Sequence, residues 1–157
     1  NCPRHYILRS SWVIGEGHNF VKTMMMLSNR VADPGDGLNE VTVVDDQYGR
    51  LTFTSDMADA IFHLLDSGAG YGTYDLTGSG RVESWAGIAK AVFDLTNGNG
   101  DRVRPIPTEE YFANAKDPVS PRPTHSALDL KKIEATGYPA LDWEESLKKY
   151  VAKELAE

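Results

Sequence analysis

Apolar positions fall in short blocks along the chain, and their spacing switches between two periods. Tyr6-Ile7-Leu8 is an apolar run too brief for a helix, and it predicts a buried strand. Polar Arg9-Ser10-Ser11 follows, then Trp12-Val13-Ile14 and the glycines Gly15 and Gly17. From Phe20 the period becomes helical: Phe20, Met24 and Leu27 share a face, with Val21, Met25 and Ser28 beside them. The run Asp33-Pro34-Gly35-Asp36-Gly37 ends that helix. Val41-Thr42-Val43-Val44 is β-branched and short, which predicts a second buried strand. A polar loop from Asp45 to Arg50 then leads to Thr52-Phe53-Thr54.

Ser55 is placed to cap the next helix, with Asp56 in its first turn and a stripe of Met57, Ile61, Leu64 and Leu65. It stops near Gly68 and Gly70, before a third strand at Thr73-Tyr74-Asp75-Leu76-Thr77. A helix from about Ser84 turns Trp85, Ile88, Ala89, Val92 and Phe93 inward until Asn97-Gly98-Asn99-Gly100. Val103-Arg104-Pro105-Ile106 contains proline and suits an edge strand. Thr108 is a candidate cap for a short helix through Tyr111, and Pro118 to Pro123 reads as irregular. Two last helices follow, from about Asp129 to Thr136 and from Asp142, whose spacing to Glu145 resembles a capping box. Alternating strands and helices predict an α/β protein with a mainly parallel sheet, and the short elements after residue 100 predict a small α-rich lobe. No repeat or linker divides the chain, so residues 1–157 read as one unit.

Composition narrows the classes of partner. Sixteen Lys and Arg against 23 Asp and Glu leave a net charge of −7, the wrong sign for a nucleic-acid backbone. An anionic ligand must therefore meet a few placed arginines. No apolar run approaches the ~20 residues of a membrane span, and Cys2 has no second cysteine to pair with, so the cytoplasm is the expected compartment. The chain opens Asn-Cys-Pro-Arg and enters an apolar run at once, which suggests a piece of something longer.

The chemistry is positional. His5, His18, His63 and His125 show no metal-ligand spacing, and adjacent Asp45-Asp46 after a strand are more simply a solvated pair, so no metal is expected. Gly68-Ala69-Gly70-Tyr71-Gly72 follows a helix and precedes a strand, the reverse of a phosphate-cradling loop. In open α/β sheets ligands bind beyond the carboxyl ends of strands. The segments there are Ser10-Ser11-Trp12, Asp45 to Thr52, and Thr77 to Gly80. Arg50 and Arg122 can fork onto phosphate oxygens and the Trp12 indole can cover a sugar, which together suit a phosphorylated sugar. Met24-Met25-Met26 reads as core filling.

The order of these motifs resembles a known family. Arg9-Ser10-Ser11-Trp12-Val13-Ile14-Gly15 followed by His18-Asn19-Phe20-Val21-Lys22-Thr23-Met24 is similar to the RTSWVYG…NNFVKTM signature of the dTDP-4-dehydrorhamnose reductases. Val43-Val44-Asp45-Asp46-Gln47-Tyr48-Gly49-Arg50-Leu51-Thr52-Phe53-Thr54 resembles that family's VVDDQxGxPTYT segment. Tyr74 to Gly80 with Ser84-Trp85 resembles YHLTGxG…SW, and Pro105 to Tyr111 with Arg122 to Ser126 resembles PIPTxEY…RPxxS. Ser10, Ile14 and Leu51 depart from the family's usual Thr, Tyr and Pro, which bears on substrate orientation.

The resemblance implies the C-terminal, substrate-binding portion of a Rossmann-type extended short-chain dehydrogenase/reductase, spanning residues 1–157. Such enzymes reduce dTDP-4-dehydro-6-deoxy-L-mannose to dTDP-L-rhamnose with a hydride from the reduced form of NADP or NAD, NADPH or NADH. The family's glycine-rich loop and catalytic YxxxK lie upstream of the RTSW strand. Neither occurs here, since Tyr111 to Lys116 is one residue too long and Tyr150 to Lys153 one too short. No catalytic residue is therefore assigned, and these residues alone are expected to be inactive. By position, Trp12, Asn19, Phe20, Arg50, Thr52 and Arg122 would meet the dTDP-deoxysugar, with Ser10 and Ser11 near the nicotinamide. Asn19 also reads as the cap of the helix it opens. Two alternatives stay open: another nucleotide-sugar epimerase or dehydratase of the superfamily, and a non-catalytic regulatory subunit resembling that of methionine adenosyltransferase. The strands at Tyr6 to Leu8 and Val41 to Val44 are expected to offer open apolar edges, hence a homodimer.

Overall fold

The computed structural model describes residues 2–115 and 119–156. Pro118, the first residue of the expected irregular stretch, lies outside them. The first strands are β1 (Tyr6–Arg9) and β2 (Val13–Ile14), and the first helix is α1 (Phe20–Ala32). The middle of the chain holds β3 (Val41–Val44), β4 (Tyr48–Gly49), β5 (Thr52–Phe53), α2 (Thr54–Asp66), β6 (Gly72–Asp75), β7 (Glu83–Ser84) and α3 (Trp85–Asn97). Then come β8 (Val103–Ile106), α4 (Thr108–Tyr111), α5 (Lys131–Glu134) and α6 (Trp143–Ala156).

The described strands pair two by two. β1 with β6, β2 with β5, and β3 with β8 are parallel; β4 with β7 is antiparallel. Each parallel pair needs a crossover, and the intervening helices provide it. The fold is the α/β arrangement expected, with mainly parallel strands.

Two apolar clusters hold it together. The larger joins Val21, Met24 and Met25 of α1, Ile88, Val92 and Phe93 of α3, Trp143, Leu147 and Val151 of α6, Val43, Phe53 and Val103 from the strands, and Leu51 just before β5. Trp143 is fully buried and its indole N–H donates to the Arg81 carbonyl at 2.8 Å, so its one polar atom is satisfied. The smaller cluster packs Ala60 and Leu64 of α2 against Tyr74, Leu76, Leu130, Ile133 and Tyr138. The elements after residue 100 are thus shared between both clusters.

Several local expectations change. The helix α2 starts at Thr54, one residue before Ser55, and no side chain caps it; Ser55 donates to Asp56 instead. Its stripe is narrower than the sequence pattern: Leu64 is buried, but Ile61 is 43% and Leu65 58% exposed. Two strands about 4.8 Å apart make too narrow a floor for a helix about 10 Å across. Ile7 of β1 is half exposed, not buried, because it points to the face opposite Tyr6 and Leu8, which pack against the smaller cluster. The expected loop from Asp45 to Arg50 contains β4, which pairs with β7. Met24 and Met25 are buried, whereas Met26 faces outward. The expected box at Asp142 is half formed: its carboxylate accepts from the Glu144 N–H, but Glu145 pairs with Lys148. Of the two expected open edges, only that of β1 carries an exposed apolar side chain, Ile7, because Val43 and Val44 are buried.

Candidate functional site

The carboxyl end of β3 is where the fold brings polar and aromatic groups together. Asp45 and Asp46 leave the strand in different directions, each toward a helix start. The Asp45 carboxylate accepts from the Ser84 hydroxyl, which itself accepts from the Gly87 N–H as the N-cap of α3. Asp46 accepts from both the N–H and the hydroxyl of Thr108 at the start of α4. Those bonds hold the Asp46 carboxyl below the usual carboxylate range. Thr108 therefore does not cap α4 itself; Asp46 supplies that contact across the fold. Gln47 joins the array by donating from its amide to Thr108 Oγ1 at 2.9 Å. Among the described residues no group of three or more His, Cys, Asp or Glu is placed to hold a metal ion.

Beside this array lies a cleft of about 320 Å³. Its floor is Val41–Val44 and its walls are Phe20, Trp85, Tyr111 and Phe112, with Gln47 and Arg122 also lining it. Phe20 tilts onto Trp85 with ring centroids 4.5 Å apart. An apolar, aromatic-walled slot with one guanidinium suits a flat ring carrying an anionic tail. The Arg122 segment is tied in by its neighbours: Tyr48 N–H donates to the Thr124 carbonyl, Ser126 N–H to the Tyr48 carbonyl, and His125 stacks on Tyr48.

The expected site residues divide. Phe20 and Arg122 share the cleft. Arg50 lies in a separate, polar cleft of about 350 Å³ with Ser79, Gly80, Asp129 and Lys131. There its Nε donates to the Gly80 carbonyl at 2.9 Å, so the two arginines do not converge on one pocket. Asn19 caps α1: Oδ1 accepts from Lys22 N–H, and Nδ2 donates to the Gly15 and Gly17 carbonyls and the Tyr150 hydroxyl. Of its two expected jobs, the cap engages Oδ1, and the Nδ2 donors are taken by the Gly15–Gly17 turn and Tyr150. Thr52 is buried, and its hydroxyl donates to the Ser11 carbonyl. Ser11 donates to the Ser126 carbonyl, while Ser10 is half-buried.

Trp12 is the described non-glycine residue with a left-handed backbone, at φ 51°. That conformation costs an L-residue ~1–2 kcal/mol. Its indole stacks on Trp85 with centroids 3.8 Å apart and planes at 21°. A further cleft of about 290 Å³ between Gly15, Phe53–Asp56 and α6 holds none of the expected residues. Trp85, Tyr111 and Phe112 were not expected at the site, and Gln47 only within the Asp45 to Thr52 segment; Trp85 read as one more inward residue of α3, although it belongs to the Ser84-Trp85 motif and starts that helix.

A nicotinamide cofactor would need glycine-rich amides between a strand and a helix. Gly68, Gly70 and Gly72 instead join the end of α2 to β6, and the first two have open space or a turn around them. These three glycines do not fit a dinucleotide's phosphates.

Known proteins resemble this chain in sequence and fold. The family described as RmlD substrate binding domain matches residues 1–156. A dTDP-4-dehydrorhamnose reductase of Sinorhizobium fredii is 39% identical over 160 residues, covering 95% of this chain and 50% of that protein. The solved dTDP-4-dehydrorhamnose reductase of Clostridium acetobutylicum superposes with a TM-score of 0.78 at 36% identity, over 94% of this chain and 48% of that one. That of Bacillus anthracis, in complex with NADP, gives 0.76 at 31% identity, over 96% and 48%. The chain spans about half the length of the relatives it matches. Among the described residues no helix is long and apolar enough to cross a membrane.

Proposed function

The chain belongs to the RmlD substrate binding domain family, and we propose that it holds the dTDP-deoxysugar for a dTDP-4-dehydrorhamnose reductase. The observation that carries this reading is the cleft that joins Phe20, Trp85, Tyr111 and Arg122 over the end of β3. The nucleotide's flat base would pack between the aromatic walls, and Arg122 would meet the pyrophosphate. The sugar would then extend toward Trp12 and the Ser10-Ser11 segment after β1. Arg50, in its own cleft, would act on the substrate only by holding the turn around Gly80. Asn19 and Thr52 would support the site through α1 and the Ser11 carbonyl.

The parent reaction in this reading is reduction of dTDP-4-dehydro-6-deoxy-L-mannose to dTDP-L-rhamnose by NADP(H) or NAD(H), in the cytoplasm. The cofactor supplies the hydride, and a phenol elsewhere in the parent supplies the proton. Residues 1–157 form the substrate-binding portion and turn nothing over alone. The open edge of β1 and exposed Ile7 make self-pairing into a homodimer the expected state of these residues in isolation.

The test is titration of the chain with dTDP by calorimetry. Wild type should bind, and Phe20→Ala and Arg122→Ala should each weaken binding about tenfold. Absence of dTDP binding by a folded wild-type chain, or full affinity in both variants, overturns the reading.

A further inference from the structure

We propose that Trp85 is a positioning residue, which fixes the Trp12 indole and so couples the aromatic cleft to the segment after β1. The proposal rests on the reading of that cleft as the nucleotide end of the site.

Trp12 is held as if its direction mattered. Its backbone is left-handed, and both sides of it are pinned: Thr52 Oγ1 donates to the Ser11 carbonyl at 2.7 Å and Thr52 N–H to the Trp12 carbonyl at 3.1 Å. Ser11 Oγ is fixed on the Ser126 carbonyl at 2.7 Å. Three bonds thus maintain a strained turn whose product is one indole, aimed at Trp85. The partner side is equally prepared. Gly49 leaves room for the ring, since a Cβ there would come within 2.8–2.9 Å of three Trp12 ring atoms. Trp85 is the first residue of α3, directly after the N-cap Ser84 that Asp45 and Gly87 hold in place.

The two indoles are only half-buried, unlike Trp143. Their stack lies at the rim of the core, where a packing contact alone needs no strained backbone. Trp85 lines the cleft with Phe20, whereas Trp12 does not. Trp85 is therefore a shared wall: its ring meets the cleft and its face meets Trp12. A base in the cleft and a sugar near Trp12 would rest on two rings of one stack. The face of Trp12 that Trp85 covers is not available to a sugar, so the stack also decides which part of the indole the sugar meets.

The experiment compares dTDP with dTDP-L-rhamnose on wild type, Trp85→Phe, Trp85→Ala, Trp12→Ala and the double alanine variant. The readout is the ratio of the two affinities, which a general loss of stability does not move. Trp85→Ala should cut the preference for the sugar nucleotide about fivefold, with Trp85→Phe restoring most of it. In the Trp12→Ala background, Trp85→Ala should leave the ratio unchanged. An unchanged ratio in Trp85→Ala, or an equal loss in both backgrounds, overturns the proposal while the nucleotide reading stands. If wild type binds neither nucleotide, the nucleotide reading falls and the stack is judged in the free chain. There the far-ultraviolet circular dichroism couplet of paired indoles should vanish in Trp85→Phe and Trp12→Phe alike; its persistence in Trp85→Phe overturns the proposal.

Discussion

Asp45, one residue past β3, accepts the hydroxyl proton of Ser84, thirty-nine positions on, while that hydroxyl caps α3. One acidic side chain thereby fixes where α3 begins, and with it the place of Trp85. Ser84→Ala should cost about 1–2 kcal/mol, because it removes the cap and leaves Asp45 without its donor. Urea midpoints measure this, and Ser84→Thr should recover most of the loss. A midpoint unmoved in Ser84→Ala would show that the cap contributes nothing.

The neighbouring Asp46 makes stability depend on acid. Its folded-state pKa lies below the usual value, chiefly through the Thr108 hydroxyl and then its N–H. A depressed carboxyl adds stability that is fully present above the unfolded value of about 3.9 and is lost as pH falls through the folded one. Wild type and Asp46→Asn should differ most above pH ~4 and converge below it. Parallel stability curves for the two from pH 5 downward would contradict the contact.

Tyr138 makes the opposite claim at the alkaline end. Burial, with Asp56 and Asp59 nearby, pushes its phenol up to about 12, and the hydroxyl donates to the Asp56 carbonyl at 2.8 Å. The folded state keeps the proton longer than the unfolded chain does, so the stabilisation is present below pH ~10 and disappears as pH rises toward the folded value. Ultraviolet titration of wild type against Tyr138→Phe should isolate one late-ionising phenol. A difference spectrum titrating near 10 would refute it.

Glycines separate by surroundings. A Cβ on Gly78 would stand 2.6 Å from the Leu51 carbonyl oxygen and 2.7 Å from Trp143 Cβ, both on fully buried residues. Gly78→Ala should therefore destabilise by ~1–3 kcal/mol. Gly70 has open space and no left-handed backbone, so Gly70→Ala should be neutral or stabilise by up to ~1 kcal/mol. Thermal melts of the two variants check the contrast, and equal shifts would sink it.

Much of the fold was legible because its signals are local. The helical spacing from Phe20, the β-branched run at Val41 and the Asn97-Gly98 stop each depend on a few neighbours, and α1, β3 and the end of α3 fall where they point. The left-handed cap at Gly98 is of the same kind. Strand β4 was not legible, because Tyr48-Gly49 finds its partners far along the chain, in Glu83-Ser84 on one side and in Thr124 and Ser126 on the other. The stripe of α2 failed for a related reason: Ile61 and Leu65 have the right period, but the floor beneath them is two strands wide.

The site divides along the same line. Which side chains are present and which family the chain resembles are legible in the amino-acid order, and its motifs single out Phe20 and Arg122 as ligand candidates. That these two meet in one cleft while Arg50 sits in another, that Asn19 and Thr52 spend their polar atoms inside the fold, and that Trp12 lies on Trp85 emerge only from the packed chain. The physical reason is range. Periodicity and caps are settled within a turn or two of chain, whereas a cleft is defined by segments about a hundred residues apart whose packing no local pattern encodes.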